Sequence, residues 1–153
     1  MSDLTDYLND HLGGSVTGVG LARHLAKQYE GQPLGDLASR LAGEIEEDRD
    51  TLKVTVESLG GSPSNLKQAG GWLGDRAAVL LKARGDDAPS RLSLLEALTL
   101  GIEGKSLLWQ ALTEIAPPEL DSVKLRALVE RAERQRGELE PHRLAAAAEL
   151  AKA

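Results

Sequence analysis

Apolar side chains recur at three- and four-residue steps along almost the whole chain, which is the spacing of one face of a helix. From Asp3 to Tyr29 the run is Leu4, Leu8, Leu12, Val16, Val19, Ala22 and Ala26, and Gly31-Gln32-Pro33 supplies the stop. A second run from Pro33 to Leu59 carries Leu34, Leu37, Leu41, Ile45, Leu52, Val56 and Leu59, and it closes at Gly60-Gly61. Ser62-Pro63 restarts the chain as an N-cap with a first-turn proline. A weaker helix is predicted over 64–84, bent near Gly70-Gly71, with Leu73, Ala77 and Leu80 on one side. Gly85-Asp86-Asp87-Ala88-Pro89 reads as a loop. From Ser90 to Ile115 the chain is apolar almost all round (Leu92, Leu95, Leu98, Ile102, Leu108, Trp109), as in a helix buried on several sides. Pro117-Pro118 ends it. The last helix, from Asp121 to Leu150, keeps Leu125, Leu128, Ala132, Leu139, Ala146 and Leu150 on one face, and Pro141 is expected to kink it.

Helices of that length are about 40 Å long. The pattern therefore predicts an all-α fold in one domain over residues 1–153. Its expected architecture is an antiparallel four-helix bundle, with a short extra helix in the long connection between the second and third helices. Short links after the first and third helices make each pair an antiparallel hairpin. The long middle connection permits a crossover along the bundle, the ferritin-like variant, while an up-down-up-down bundle with a folded loop is the alternative. The first helix is unusual in carrying Gly13, Gly14, Gly18 and Gly20, each costing about 1 kcal/mol relative to alanine. Close approach of a neighbouring helix is the first explanation, and a ligand lying against bare backbone is the second.

Composition narrows the chemistry. The aromatics are only Tyr7, Tyr29, Trp72 and Trp109, with no Phe, so the core is built from Leu, Ala, Val and Ile. With no cysteine, disulfides, zinc-thiolate sites and thiol nucleophiles are excluded. No apolar run approaches the ~20 residues that span a bilayer. Met1 is followed by the polar run Ser2 to Asp6 rather than a basic and then apolar leader, which makes cytoplasm the expected location. A net charge of −6, with bases interleaved among acids from Glu130 to Arg136, argues against nucleic acid and membrane partners. Glu44, Glu46, Glu47, Asp48 and Asp50 form an acidic cluster that reads as a solvated face, and His24, beside Arg23 and near Lys27, reads as surface. No serine has a motif-spaced His and acid, and no Gly-Lys phosphate loop is present, so nothing points to hydrolase or phosphotransfer chemistry.

Three stretches carry a resemblance. Leu8-Asn9-Asp10-His11-Leu12 resembles the first helix of bacterioferritins and their relatives. Leu59-Gly60-Gly61-Ser62-Pro63 resembles their turn after the second helix, and the Leu-rich third helix with Glu103 looks like a ferritin-like third helix. The resemblance implies a ferritin-like bundle, akin to bacterial members of unassigned function. The di-iron chemistry of that superfamily needs a carboxylate from each of two helices and a Glu-x-x-His pair from each of the others. Carried over by register, those places fall on Ser15 in the first helix and on Ile45 and Asp48 in the second. They fall on Glu103 in the third helix and on Ala132 and Gln135 in the fourth. Only Asp48 and Glu103 of this set could hold a hard metal ion. The resemblance thus implies a bundle with a degenerate di-iron site, no resident cofactor and no catalytic residues.

Periodicity places several polar groups inside. Asp48 lies between Ile45 and Leu52, Gln135 between Ala132 and Leu139, Ser15 beside Val16 and Val19, and His142 between Leu139 and Ala146. Buried polar groups must be paired, at a cost of roughly 1–3 kcal/mol each if they are not. The leading expectation is an interior polar network of Ser15, Asp48, Glu103, Gln135 and His142 that replaces the metals, with Arg49, Lys105 or Arg23 able to reach Asp48 or Glu103. The expected function is then a non-enzymatic bundle of structural or interaction type, forming a homodimer or higher homo-oligomer through the third helix or the small-residue seam of the first. One competing reading is an altered metal site using Asp48, Glu103, His142 or His11, in an iron-binding protein or oxidoreductase. Another is a carrier with a small-molecule ligand in an elongated pocket beside Gly14 and Gly18.

Overall fold

The computed structural model describes residues 2–63 and 86–152. Four long helices dominate: α1 Asp3–Gln28, α2 Pro33–Ser58, α3 Ala88–Ile115 and α4 Ser122–Glu149, with a 3-10 turn at Leu150–Lys152. No strand occurs among the described residues. The protein is an all-α four-helix bundle, as the periodicity predicts. The extra helix expected over 64–84 lies outside the described residues.

Three of the four helices begin where a side chain satisfies a free backbone N–H group, and α2 begins instead with Pro33, which has no N–H to satisfy. Ser2 caps α1 by accepting from Thr5 N, Asp87 caps α3 by accepting from Ser90 N, and Asp121 caps α4 by accepting from Val123 N. The cap at Asp87 moves the start of α3 two residues ahead of the sequence-based start, because Pro89 fits the first turn of a helix rather than a loop. Gly31 and Gly60 take φ of +81° in the turns after α1 and α2, a conformation that L side chains rarely adopt. Ala116 holds a left-handed φ of 50° to end α3 ahead of Pro117. α4 runs through Pro141 as one helix.

α1 packs extensively on α2, and α3 on α4. Of the remaining seams, α1 with α3 is broad and α2 with α4 sparse. Leu12, Leu21, Leu25, Leu41, Leu95, Leu98, Leu108, Trp109 and Leu139 are fully buried at the centre. Burying such side chains supplies about 1.5–3 kcal/mol each before entropy is counted.

Side chains at the two ends fix the direction of each helix. At one end Asn9 of α1 donates from Nδ2 to Ser62 O, just beyond α2. At the other, Tyr29, just beyond α1, donates its hydroxyl to Asp86 and accepts from Arg91 Nε at 3.0 Å, while Arg91 also meets Glu149 at 3.1 Å. The chain therefore leaves α2 at the end where α1 begins and enters α3 at the opposite end. The residues that flank the connection therefore lie at opposite ends of the bundle, and α2 and α3 run parallel. That is the crossover topology, and the up-down-up-down alternative is excluded.

Candidate functional site

The bundle centre is built around a lysine. Lys105 of α3 places its ammonium 2.6 Å from Asp48 Oδ2 of α2 and 2.6 Å from Gln135 Oε1 of α4. Gln135 turns its amide nitrogen to Glu44 Oε1 at 3.0 Å, and Arg134 donates to the same oxygen at 2.8 Å. The Arg131 guanidinium lies 3.7 Å from Glu44 and 3.8 Å from the second oxygen of Asp48. Asp48 is 3% exposed and Gln135 is wholly buried. Positions 44 and 48 are one helical turn apart, as are 131 and 135, so each pair shares a face and the faces meet.

Burial pushes the Lys105 ammonium below the ordinary lysine value, while the Asp48 carboxylate partly restores it. Burial raises Glu44, but the hydrogen bonds from Gln135 and Arg134 outweigh that and leave its carboxyl below the usual range.

The other sequence-predicted site residues lie elsewhere. Ser15 donates to Leu12 O at 2.6 Å within its own helix. Glu103 turns outward to pair with Arg136 of α4. His142 lines a cleft at the far end with Tyr29, Leu34 and Arg91. His11 packs edge-on against Tyr7 with ring centroids 4.8 Å apart, and burial lowers its pKa against the pull of Asp10. Of the three bases considered for Asp48, Lys105 reaches it. Arg23 pairs with Glu46, and Arg49 also faces Glu46, at 3.6 Å. Glu44 and Arg131 were hidden inside charge runs that read as solvated faces. The structure corrects that reading for Glu44 and Arg131, which pair across the seam between α2 and α4, while Glu47 and Asp50 are exposed as expected.

These residues do not fit a di-iron centre. The position between Asp48 and Gln135 is taken by a cation of the protein itself. Among the described residues, no group of three or more His, Asp or Glu side chains converges as a ligand set.

Beside this network, α1, α2 and α3 border a partly open cavity of about 50 Å³ lined by Gly14, Gly18, Asp48, Arg49, Lys105 and Trp109 among others. Among the described residues a Cβ built on Gly14 meets no atom within 4 Å, and one on Gly18 meets Ile45 Cγ2 at an ordinary 3.7 Å. Close helix approach thus does not explain these two glycines; they border the cavity. Two donors of residues that line it, Trp109 Nε1 and Arg49 Nε, are buried without a hydrogen-bond partner among the described residues.

No family model matches this chain, and neither a curated protein nor a solved structure matches it. No described helix is long and apolar enough to cross a membrane.

Proposed function

We propose that this chain is a divergent ferritin-like bundle that has exchanged a metal centre for a buried ammonium, and that it acts without catalysis as a structural or interaction bundle. The observation that carries this reading is the Lys105 ammonium, held at 2.6 Å by both Asp48 and Gln135. A lysine there supplies the positive charge that metal ions supply in a ferritin-like centre, fills their space and repels a further cation. The crossover topology and the bacterioferritin-like stretches support the ancestry.

Self-association is part of the proposal. Leu100 and Leu107 of α3, two turns apart on one face, are 52% and 53% exposed, and a two-fold contact would bring each against its copy.

The deciding experiment is metal content by elemental mass spectrometry, before and after anaerobic incubation with ferrous iron. The protein is expected to stay metal-free, and Asp48→Ala to lower the melting temperature without changing metal content. One or two irons per chain, lost on that substitution, would overturn the reading.

A further inference from the structure

The cavity beside the lysine network has a chemistry of its own. Its walls are largely apolar, with Ile45, Leu52, Ile102 and Leu108 around the space that Gly14 and Gly18 leave open. A helix gives up about 1 kcal/mol at each such glycine, and neither is imposed by a neighbouring helix. What their missing side chains provide is room.

The polar groups at this cavity are unevenly matched. Asp48 is engaged by Lys105 through Oδ2, while its Oδ1 faces Arg131 at 3.8 Å without a hydrogen bond among the described residues. Ser15 spends its proton on Leu12 O. Trp109 is 1% exposed, yet its indole N–H has no acceptor among the described residues. The Arg49 Nε–H is likewise buried without a hydrogen-bond acceptor among the described residues; its guanidinium makes only looser ion pairs there, with Glu46 at 3.6 Å and, from Nε, with Asp50 at 4.0 Å. Glu46 is itself shared with Arg23 at 2.5 Å. The cavity therefore offers two spare donors, one of them cationic, against an apolar wall. A buried unpaired donor is costly, and the group that would satisfy both is an acceptor with two oxygens and a negative charge.

We propose that this cavity binds a small monocarboxylate with a short apolar body, its oxygens accepting from the Arg49 guanidinium and the Trp109 indole N–H. The volume sets the size of the body. One water needs roughly 10–15 Å³ on this measure and a benzene-binding cavity has about 150 Å³, so 50 Å³ suits a chain of about three or four carbons. The site is independent of whether the bundle centre descends from a metal site.

The test is a titration of the full chain with butanoate, read by the fluorescence of Trp109 in a Trp72→Phe background, with butan-1-ol and butylamine as controls. Butanoate should give a saturable change and the two controls none at the same concentrations. Arg49→Gln should weaken butanoate by about tenfold or more, the usual loss with one charged hydrogen bond. Gly14→Val, which grows into the empty space, should abolish the change while circular dichroism shows the helices intact. Equal binding of butan-1-ol, no saturable response to butanoate, or undiminished binding in both variants would overturn the proposal.

Discussion

Lys105 shows how much one residue can decide. Removing one partner of a buried ion pair typically costs 3–5 kcal/mol, whereas replacing both by apolar groups of similar size is often neutral or stabilising. Lys105→Met should therefore lower stability by about 3 kcal/mol, and Lys105→Met with Asp48→Leu should recover most of that loss in urea unfolding. The pH dependence carries a sign. The folded-state pKa of Lys105 lies below the ordinary 10.5, so the unfolded chain holds this proton more tightly. Wild-type stability should thus rise relative to Lys105→Met as pH climbs toward 10.5, and the cost of the buried charge is fully present below the folded pKa. Asp48 and Gln135 were legible as interior residues because each interrupts a regular apolar stripe. Glu103 was not placed correctly, because a helix apolar on nearly every side gives periodicity no face to choose. Lys105 shares that helix, and only the three-dimensional meeting of α2, α3 and α4 selects it over Arg23 and Arg49.

At the scale of helices, boundaries follow from stop signals and caps, and the sequence reading comes within two residues at every described end. Glycine is where sequence alone misleads, since the same residue serves opposite purposes. A Cβ on Gly35 would stand 2.0 Å from Tyr29 O at the turn between α1 and α2, while one on Gly14 meets nothing within 4 Å among the described residues. Gly14→Ala should accordingly raise stability by about 1 kcal/mol, the helix-propensity difference. Gly35→Ala should lower it markedly, and thermal unfolding of the two variants distinguishes the cases. The α2–α4 seam teaches a related lesson. Its acids and arginines look like solvated faces along each helix, yet Glu44, Asp48 and Arg131 pair across it. Alternating charge predicts exposure for one helix and says nothing about a second helix bearing the complement.

For the whole molecule, the proposed self-association has a direct check. Most of the apolar residues of α3 are buried within the bundle, which leaves Leu100, Leu107 and Ile115 as its large exposed ones. If Leu100 and Leu107 form a two-fold contact, wild-type protein should scatter light as a dimer at micromolar concentration. The Leu100→Glu, Leu107→Glu double variant should scatter as a monomer with unchanged helicity. A wild-type monomer would remove the oligomer from the proposal. The crossover itself was legible only as an option, because the length of a connection permits either topology and the contacts of Tyr29 with Asp86 and Arg91 are what select one.

That topology divides the chain into two contiguous halves, residues 2–63 and 86–152, each a complete hairpin that meets the other along the α1–α3 and α2–α4 seams. The bonds of the bundle centre from Lys105 to Asp48, and from Gln135 and Arg134 to Glu44, join one half to the other. The centre is therefore an internal subunit interface in all but covalent continuity. A hairpin from a second chain carries the same complementary surface as the chain's own, so domain exchange would rebuild both seams without changing any side-chain contact.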